Sequence, residues 1–220
     1  MLGRRVRPRT RTRAPGRSRP ARRTGSNRYH HGDLPRALLD AALRIVATQG
    51  TEALTLRAVA RAAGVSQAAP YRHFTNKEAV LAAVAEEGFR ALNAAMRAAI
   101  EAGASPLERL RAAGMSYVTF ATSHPAHFRV MFGRELADRS ASPALRQVAT
   151  QTFDTVVDTI AECQRAGVAR SEESAADLAL TAWSSVHGLA ALLVNGVVDR
   201  AVSEVAQIVT RDLFLGLGRR

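Results

Sequence analysis

The spacing of apolar residues between positions 34 and 217 constrains the fold most strongly. These residues recur every three or four positions, as on one face of an α-helix, and no stretch shows the two-residue alternation typical of a strand. The first such stretch has Asp33 as a candidate N-cap and Gly50 as a terminator, and its apolar side is formed by Leu38, Ala42, Ile45 and Val46. We therefore predict an all-α chain.

Capping residues divide this pattern into about nine helices. Thr55, Asn76 and Ser105 each precede an apolar run, and Gly64 stands where a left-handed residue would end the second helix. Residues 133–142 are polar and of mixed charge, which predicts a loop. The expected helices span about residues 34–49, 56–63, 66–73, 77–102, 106–122, 125–132, 143–167, 174–194 and 201–217.

The positive charge is concentrated at the N-terminus. The formal net charge is +12, and eleven arginines lie within residues 1–28, which contain no acidic residue. Such a segment cannot bury enough apolar surface to fold, so we predict a disordered basic arm. The arm would contact phosphates independently of base sequence, with arginines entering a minor groove. The alternatives are a solvated extension without a role, or translation upstream of the natural start.

No feature of the sequence predicts a membrane or secreted location. The longest apolar stretch, near residues 189–194, is much shorter than the ~20 residues that a bilayer span needs. The paired N-terminal arginines are not followed by an apolar signal segment, so we expect a cytoplasmic protein. The single cysteine, Cys163, has no partner for an internal disulfide and is expected to be a small buried residue.

Two short helices around a glycine turn, residues 55–74, have the layout of a helix-turn-helix. Ala60 and Gly64 supply the small residues at the crossing and the turn, and Gln67 could bind adenine through two hydrogen bonds. This pattern alone would also fit two packed core helices. The residues expected to face DNA are Thr55, Arg57, Ser66, Gln67, Ala68, Tyr71, Arg72, His73 and Lys77.

The stretch 54–84, LTLRAVARAAGVSQAAPYRHFTNKEAVLAAV, resembles the DNA-binding domain of the TetR family. It contains the family's Ala-Gly-Val-Ser turn at residues 63–66 and its Tyr-x-x-Phe-x-x-Lys-Glu signature from Tyr71 to Glu78. The resemblance implies a DNA-binding domain over residues 31–92. It also implies phosphate contacts by Thr55, Tyr71 and Lys77, with Gln67, Ala68, Tyr71 and Arg72 nearest the bases. Pro70 departs from the family's usual aliphatic residue and predicts a short recognition helix that begins at Ser66 or Gln67.

The C-terminal stretch Trp-Ser-Ser-Val-His-Gly, residues 183–188, resembles the Trp-x-x-x-His-Gly element of one TetR C-terminal class. The resemblance implies a small-molecule pocket among helices 4 to 8, within an effector-binding and dimerisation domain over residues 93–220. It also implies a homodimer through helices 8 and 9. The alternative is that these are ordinary core residues. Candidate pocket residues are Phe120, Phe128, Met131, Phe132, Phe153, Trp183 and His187.

We predict neither a metal site nor a cofactor. His124 and His127 are three residues apart and His30 adjoins His31, but neither pair has an evident third ligand. No phosphate-binding glycine loop, nucleophile elbow or acid–base pair is present in the sequence, so enzymatic activity is not expected.

The resemblance implies a dimeric regulator of double-stranded operator DNA, a repressor released by an unidentified small-molecule effector through a tilt of the fourth helix. The alternatives are a non-specific architectural nucleic-acid binder that acts through the arm, and an enzyme that uses His187.

Overall fold

The computed structural model describes residues 33–136 and 142–217, apart from the side chains of residues 214 and 215. Eight α-helices and no strand occur within these ranges. The predicted arm, His30 and His31, and part of the predicted loop at 133–142 lie outside the described residues. The helices are α1 Leu34–Gln49, α2 Leu56–Ala63, α3 Lys77–Glu101, α4 Pro106–Ser123, α5 Pro125–Met131, α6 Pro143–Arg165, α7 Ala175–Val194 and α8 Val202–Leu217.

Short-range hydrogen bonds at the helix ends confirm most of the predicted boundaries. The side chains of Asp33, Thr55 and Asn76 each accept a hydrogen bond from the backbone amide three residues later. Ser105 and Glu108 form the reciprocal capping box. Gly64 closes α2 with a φ of 70°, a left-handed conformation that favours glycine.

The predicted third α-helix is not present. The segment after Gly64 has one turn, at Gln67 and Ala68, followed by a 3₁₀ helix over Pro70–Arg72. Proline has no N–H to donate to the carbonyl of Ser66, and its ring would clash with that carbonyl in an α-helix. The backbone instead makes three-residue bonds, from Ala69 to Ser66 at 3.0 Å and from His73 to Pro70 at 2.9 Å. The prediction of an α-helix from Ser66 or Gln67 to about His73 was therefore wrong.

The N-terminal helices pack around a small aliphatic core. Helices α1 and α2 are in contact, the 3₁₀ helix packs on α2, and the start of α3 packs on α1. This core holds the segment 66–76 on the surface between α2 and α3. Its buried members include Leu38, Ile45, Val46, Leu54, Val59, Val80 and Val84, each at most 5% exposed.

Helix α4 lies at the centre of the C-terminal half. It packs against α3, α6, α7 and α8, and Tyr117, Val118 and Ala121 are fully or almost fully buried. Helix α3 has 25 residues, about 37 Å at 1.5 Å per residue, and is shared by both halves without a break. Small residues such as Ala113, Ala179 and Ala190 are buried between helices, so their axes approach closely.

Helix α7 has one face that no other described residue covers. Leu180 and Leu192 on this face are 59% and 43% exposed. A Cβ atom at Gly188 would meet no atom within 4 Å, so this glycine does not serve a close helix crossing inside the protomer. By length and apolar content alone, α7 is the single helix in the described ranges that could cross a membrane, although it packs against α4, α6 and α8.

Candidate functional site

The residues that sequence analysis assigned to DNA contact are mostly exposed. Thr55, Arg57, Ser66, Gln67, Ala68, Tyr71, Arg72 and His73 are all exposed, and Lys77 is half-buried. Tyr71 exposes 56% of its surface, which is unusual for a large aromatic side chain. We call this set the DNA-facing tip.

The side chains at the DNA-facing tip are available to an external partner. Within the described part of the chain, Arg57, Gln67, Tyr71, Arg72 and His73 make no side-chain hydrogen bond or ion pair. The Thr55 hydroxyl accepts from the amide of Ala58 at 3.0 Å, which leaves its own proton free to donate. Such unsatisfied donors suit phosphate oxygens and base edges.

The segment that carries the tip contains only positive charges. Residues 54–77 contain four basic residues, Arg57, Arg61, Arg72 and Lys77, and no acidic residue. The amino ends of α2 and α3 lie in the same segment and add partial positive charge from their backbone amides. This surface would attract a polyanion rather than a neutral partner.

A contact joins this region to the segment after α5. The hydroxyl of Thr51 donates a hydrogen bond to the carboxylate of Glu135. This bond is the main reason that the pKa of Glu135 lies below its ordinary value, and the positive charge of Lys77 lowers it further. The N-terminal and C-terminal halves of the described chain are therefore in contact near the amino end of α3.

A second contact joins α1, α3 and α5. Arg36 bonds to Glu87 at 2.9 Å and to Asp40 at 2.9 Å, and Nε2 of His127 lies 3.5 Å from the same Glu87 oxygen. The Nε2 atom is buried without a hydrogen-bond partner. Burial lowers the pKa of His127, although the nearby carboxylate of Glu87 opposes this shift.

An aromatic cluster occupies the middle of the C-terminal half, and its centre is Tyr117. The Tyr117 hydroxyl is 2.8 Å from Nδ1 of His187. Its ring lies 5.3 Å from Trp183 and 6.3 Å from Phe128, both in edge-to-face geometry. Trp183 and His187, one turn apart on α7, thus face the same side chain.

The structure brings together five of the seven predicted pocket residues. Phe132 and Phe128 lie 4.5 and 5.3 Å from the ring of His187, and Phe153 lies 5.6 Å from Trp183. The other two predicted residues are not in this cluster. Phe120 stacks on His124 at 4.7 Å and faces a surface groove beside Met115 and Thr119. Met131 packs towards Gly88 of α3, where a Cβ would lie 2.5 Å from its sulfur.

Sequence analysis missed Tyr117, although a signal for it exists. Leu110, Ala113, Gly114 and Tyr117 follow helical spacing along the inner side of α4. They line a small enclosed cavity of about 20 Å³ together with Met96, Val156, Trp183 and Val186. Of the predicted pocket residues, Trp183 alone lines this cavity.

Burial keeps both members of the polar pair in the cluster uncharged near neutral pH. Desolvation raises the pKa of Tyr117 and lowers the pKa of His187. A neutral tyrosine and a neutral imidazole share one hydrogen bond, in which the donor is set by the tautomer of His187.

The remaining candidate groups form no chemical centre in the described ranges. Cys163 is buried, as expected, donates to the carbonyl of Pro106 at 3.3 Å, and has a pKa raised by burial to about 11. Nδ1 of His124 lies 3.3 Å from the carbonyl of Phe120. In these ranges no three His, Cys, Asp or Glu residues are grouped to hold a metal ion.

Two family models match this chain. Residues 38–84 match the model described as bacterial regulatory proteins, tetR family. Residues 110–213 match the tetracyclin repressor-like C-terminal domain. Together the two stretches cover more than half of the 220 residues and include the DNA-facing tip and the aromatic cluster.

Similar proteins include two curated regulators and one solved structure. The chain is 43% identical over 77 residues to the HTH-type transcriptional regulator BetI of Rhizobium meliloti, and these residues make up 35% of the chain and 38% of that relative. It is 31% identical over 105 residues to the HTH-type transcriptional repressor KstR2 of Mycobacterium tuberculosis, covering 48% and 52% of the two chains. A structure of a protein with unknown function from Rhodococcus sp. RHA1 superposes with a TM-score of 0.77 and 35% identity, over 88% of this chain and all of that one.

Proposed function

Because the chain belongs to the TetR family of bacterial regulatory proteins, we propose that it is a sequence-specific transcriptional regulator that binds operator DNA. One observation supports this above all. The DNA-facing tip combines exposed donors that have no partner among the described residues with four basic and no acidic residues over positions 54–77. A surface of this kind meets the two needs of an operator reader, phosphate contact and base contact.

The side chains at the tip divide between these two roles. We assign Thr55, Tyr71 and Lys77 to phosphates, because each carries a hydroxyl or ammonium group near a helix end. We assign Gln67 and Arg72 to base edges, where each could make two hydrogen bonds in the major groove. Ser66, Ala68, Arg57 and His73 complete the interface.

The 3₁₀ segment changes how these residues reach the groove. Side chains three apart eclipse one another in a 3₁₀ helix, and the rise per residue is about 2.0 Å rather than 1.5 Å. Arg72 lies in this 3₁₀ helix and Gln67 in the turn before it, so their spacing along the groove would differ from that in a continuous α-helix. The exposed ring of Tyr71, inside the 3₁₀ helix, would pack on the sugar-phosphate backbone.

We propose a homodimer formed through α7 and α8, the eighth and ninth of the expected helices. The uncovered face of α7 supports this, because Leu180 and Leu192 are exposed and Gly188 leaves room for a second helix. The same face accounts for the apolar content of α7 without a membrane. Two recognition segments about 34–36 Å apart would then read the halves of a near-palindrome.

Effector binding in the C-terminal half would release the DNA. Helix α3 begins at the tip with Lys77 and continues past the aromatic cluster, where Phe89 lies 5.5 Å from Phe132. A ligand that separates these rings would tilt α3 and change the spacing of the two tips. Repression is supported by the similarity to KstR2, a transcriptional repressor. In this role we propose that the protein acts in the cytoplasm and is not an enzyme.

The proposal is tested by selecting operator sites from random duplex DNA. The full chain should enrich a near-palindrome, and Gln67→Ala should weaken binding by about 1–3 kcal/mol at one base position of each half-site. Arg97→Ala serves as a control, because Arg97 is exposed near the opposite end of α3. Enrichment of no sequence by the full chain would refute the proposal and favour non-specific binding through the basic arm.

A further inference from the structure

The small cavity beside Tyr117 contains almost no polar surface. It is bounded by α3, α4, α6, α7 and α8, and its lining residues are aliphatic or aromatic apart from Thr210. Three of them carry a polar group: Tyr117 and Thr210 have hydroxyls, and Trp183 has an indole N–H. The hydroxyl of Thr210 is already bonded to the carbonyl of Ala206 at 2.7 Å. The hydroxyl of Tyr117 and the indole N–H of Trp183 are therefore the polar groups that remain for a ligand.

The hydrogen bond between Tyr117 and His187 leaves capacity for one more partner. If the tyrosine donates to Nδ1, its oxygen can still accept a hydrogen bond. If Nδ1 carries the proton instead, the tyrosine can donate its own proton elsewhere. The pair can thus accept from a ligand hydroxyl in the first tautomer and donate to a ligand carbonyl in the second.

The surroundings disfavour a charged ligand. No carboxylate, guanidinium or ammonium group lines the cavity, so an ion would be buried without a partner. Aromatic faces can bind cations when they are open. Here Tyr117 packs against both Trp183 and Phe128, at interplanar angles of 66° and 85°, and is only 2% exposed, so little of its ring is open to a cation.

The cavity is too small to take a ligand without movement of the surrounding side chains. About 20 Å³ holds roughly one water molecule, so a ligand must push side chains apart. Trp183 and Phe153 are only partly buried and can move with less loss of packing than the fully buried residues. A ligand between Tyr117 and Trp183 would separate the rings that connect α4 to α7.

From these observations we propose that the C-terminal half binds a neutral, mainly apolar molecule with one hydroxyl or carbonyl oxygen, held by the Tyr117–His187 pair. This inference rests on the proposed function, because it names the chemical class of the effector. The same pair would reject acids and amines of equal size, since either would bring an unpaired charge into an apolar site.

Trp183 provides the assay, because it is the single tryptophan of the 220-residue chain and lines the cavity. Its fluorescence is followed while the full chain is titrated with cyclohexanol, cyclohexanecarboxylate or cyclohexyltrimethylammonium. These three probes share a ring and differ in charge. Cyclohexanol should give a saturable change, and the two ions should bind about tenfold more weakly or worse.

Three variants localise the binding. Tyr117→Phe removes the hydroxyl and should weaken cyclohexanol binding about threefold to tenfold. Gly114→Ala places a methyl group 3.0 Å from Cγ2 of Thr210 and should weaken binding by filling the cavity, without removing any polar group. Ser116→Ala is the control, because Ser116 lies on the groove side of the same helix and its variant should bind as tightly as the parent chain.

Several results would overturn the inference. They are equal or tighter binding of either ion, binding that neither Tyr117→Phe nor Gly114→Ala weakens, and the absence of a saturable response to all three probes. Operator selection with the same preparation separates this inference from the proposed function. If the chain selects an operator but does not bind cyclohexanol, only the proposed effector class is refuted. If it binds cyclohexanol but selects no DNA sequence, the proposed role as a transcriptional regulator is refuted.

Discussion

Replacing Gly88 by alanine should destabilise the protein although it adds a better helix former. Gly88 is buried where α3 crosses α5. An added Cβ would lie 2.5 Å from Sδ and 3.0 Å from Cγ of Met131, and 3.3 Å from Cβ of His127. Atoms this close must shift, and two of the three belong to the inner part of their side chains. The close crossing of α3 and α5 therefore depends on the absence of a side chain at Gly88.

Two opposing terms set the expected size of the effect. Alanine is favoured over glycine in a helix by about 1 kcal/mol. Overpacking a filled core costs about 1–3 kcal/mol, and the contacts of Gly88 place this variant in the upper half of that range. We expect a net loss of about 1–2 kcal/mol in the free energy of unfolding, or a fall in Tm of roughly 2–8 °C for a domain of this size.

Thermal unfolding at matched protein concentration measures this effect, because dimer stability depends on concentration. Ala98→Gly is a matched control, since Ala98 is exposed on the same helix and its variant measures helix propensity alone. In a Met131→Ala background the clash is relieved, so Gly88→Ala should become stabilising by about 1 kcal/mol. Stabilisation of the parent chain by Gly88→Ala would refute the tight crossing.

Three further perturbations test other parts of the account. Lys77→Ala should weaken operator binding and reduce the slope of log K against log salt by about 1, measured by fluorescence anisotropy, whereas Arg97→Ala should leave that slope unchanged. Leu180→Arg should shift the dimer towards monomer in sedimentation velocity at micromolar concentration, because a charge would be buried in the α7 interface; an unaltered dimer would exclude that interface. Burial lowers the pKa of both His127 and His187, so below pH 6.5 the unfolded chain binds protons that the folded chain does not, and stability should fall as the pH drops through this window. His127→Gln should reduce the difference in Tm between pH 7.5 and 5.5, and an unchanged difference would show that His127 does not contribute.

Helix boundaries could be predicted because they depend on residues close in sequence. Asp33, Thr55, Asn76 and Ser105 each make the cap that their side chain predicts, with a backbone amide three residues away. Gly64 likewise ends α2 through its own left-handed φ angle, without any contact from a distant residue. Such bonds form whenever the local segment is helical, so they do not require knowledge of the tertiary fold.

The position of the recognition segment could be predicted from the sequence, but its backbone conformation could not. Pro70 was recognised as a departure, yet the prediction put it in the first turn of an α-helix, where a missing amide costs little. Pro70 is not in a first turn, because a hydrogen bond from Ala69 to Ser66 already forms a turn before it. The proline then falls where an α-helix needs its amide, and the chain adopts 3₁₀ geometry instead.

The composition of the aromatic cluster could be predicted only in part. Trp183 and His187 share a helix face, so their common direction follows from spacing. Phe120 was assigned to the same cluster but lies one turn further along α4, stacked on His124. Tyr117 is three positions before it, and which of these two rings faces α7 depends on the rotation of α4 within the packed body, which no local pattern fixes.

Operator selection with the full chain and with a chain lacking residues 1–28 tests the central claim most directly. Our account predicts that both forms enrich the same near-palindrome, with weaker affinity and a shallower salt dependence for the shortened form, because the eleven arginines add only phosphate contacts. Loss of all sequence preference on removal of residues 1–28 would contradict it, and would assign DNA binding to the basic arm rather than to the helix-turn-helix.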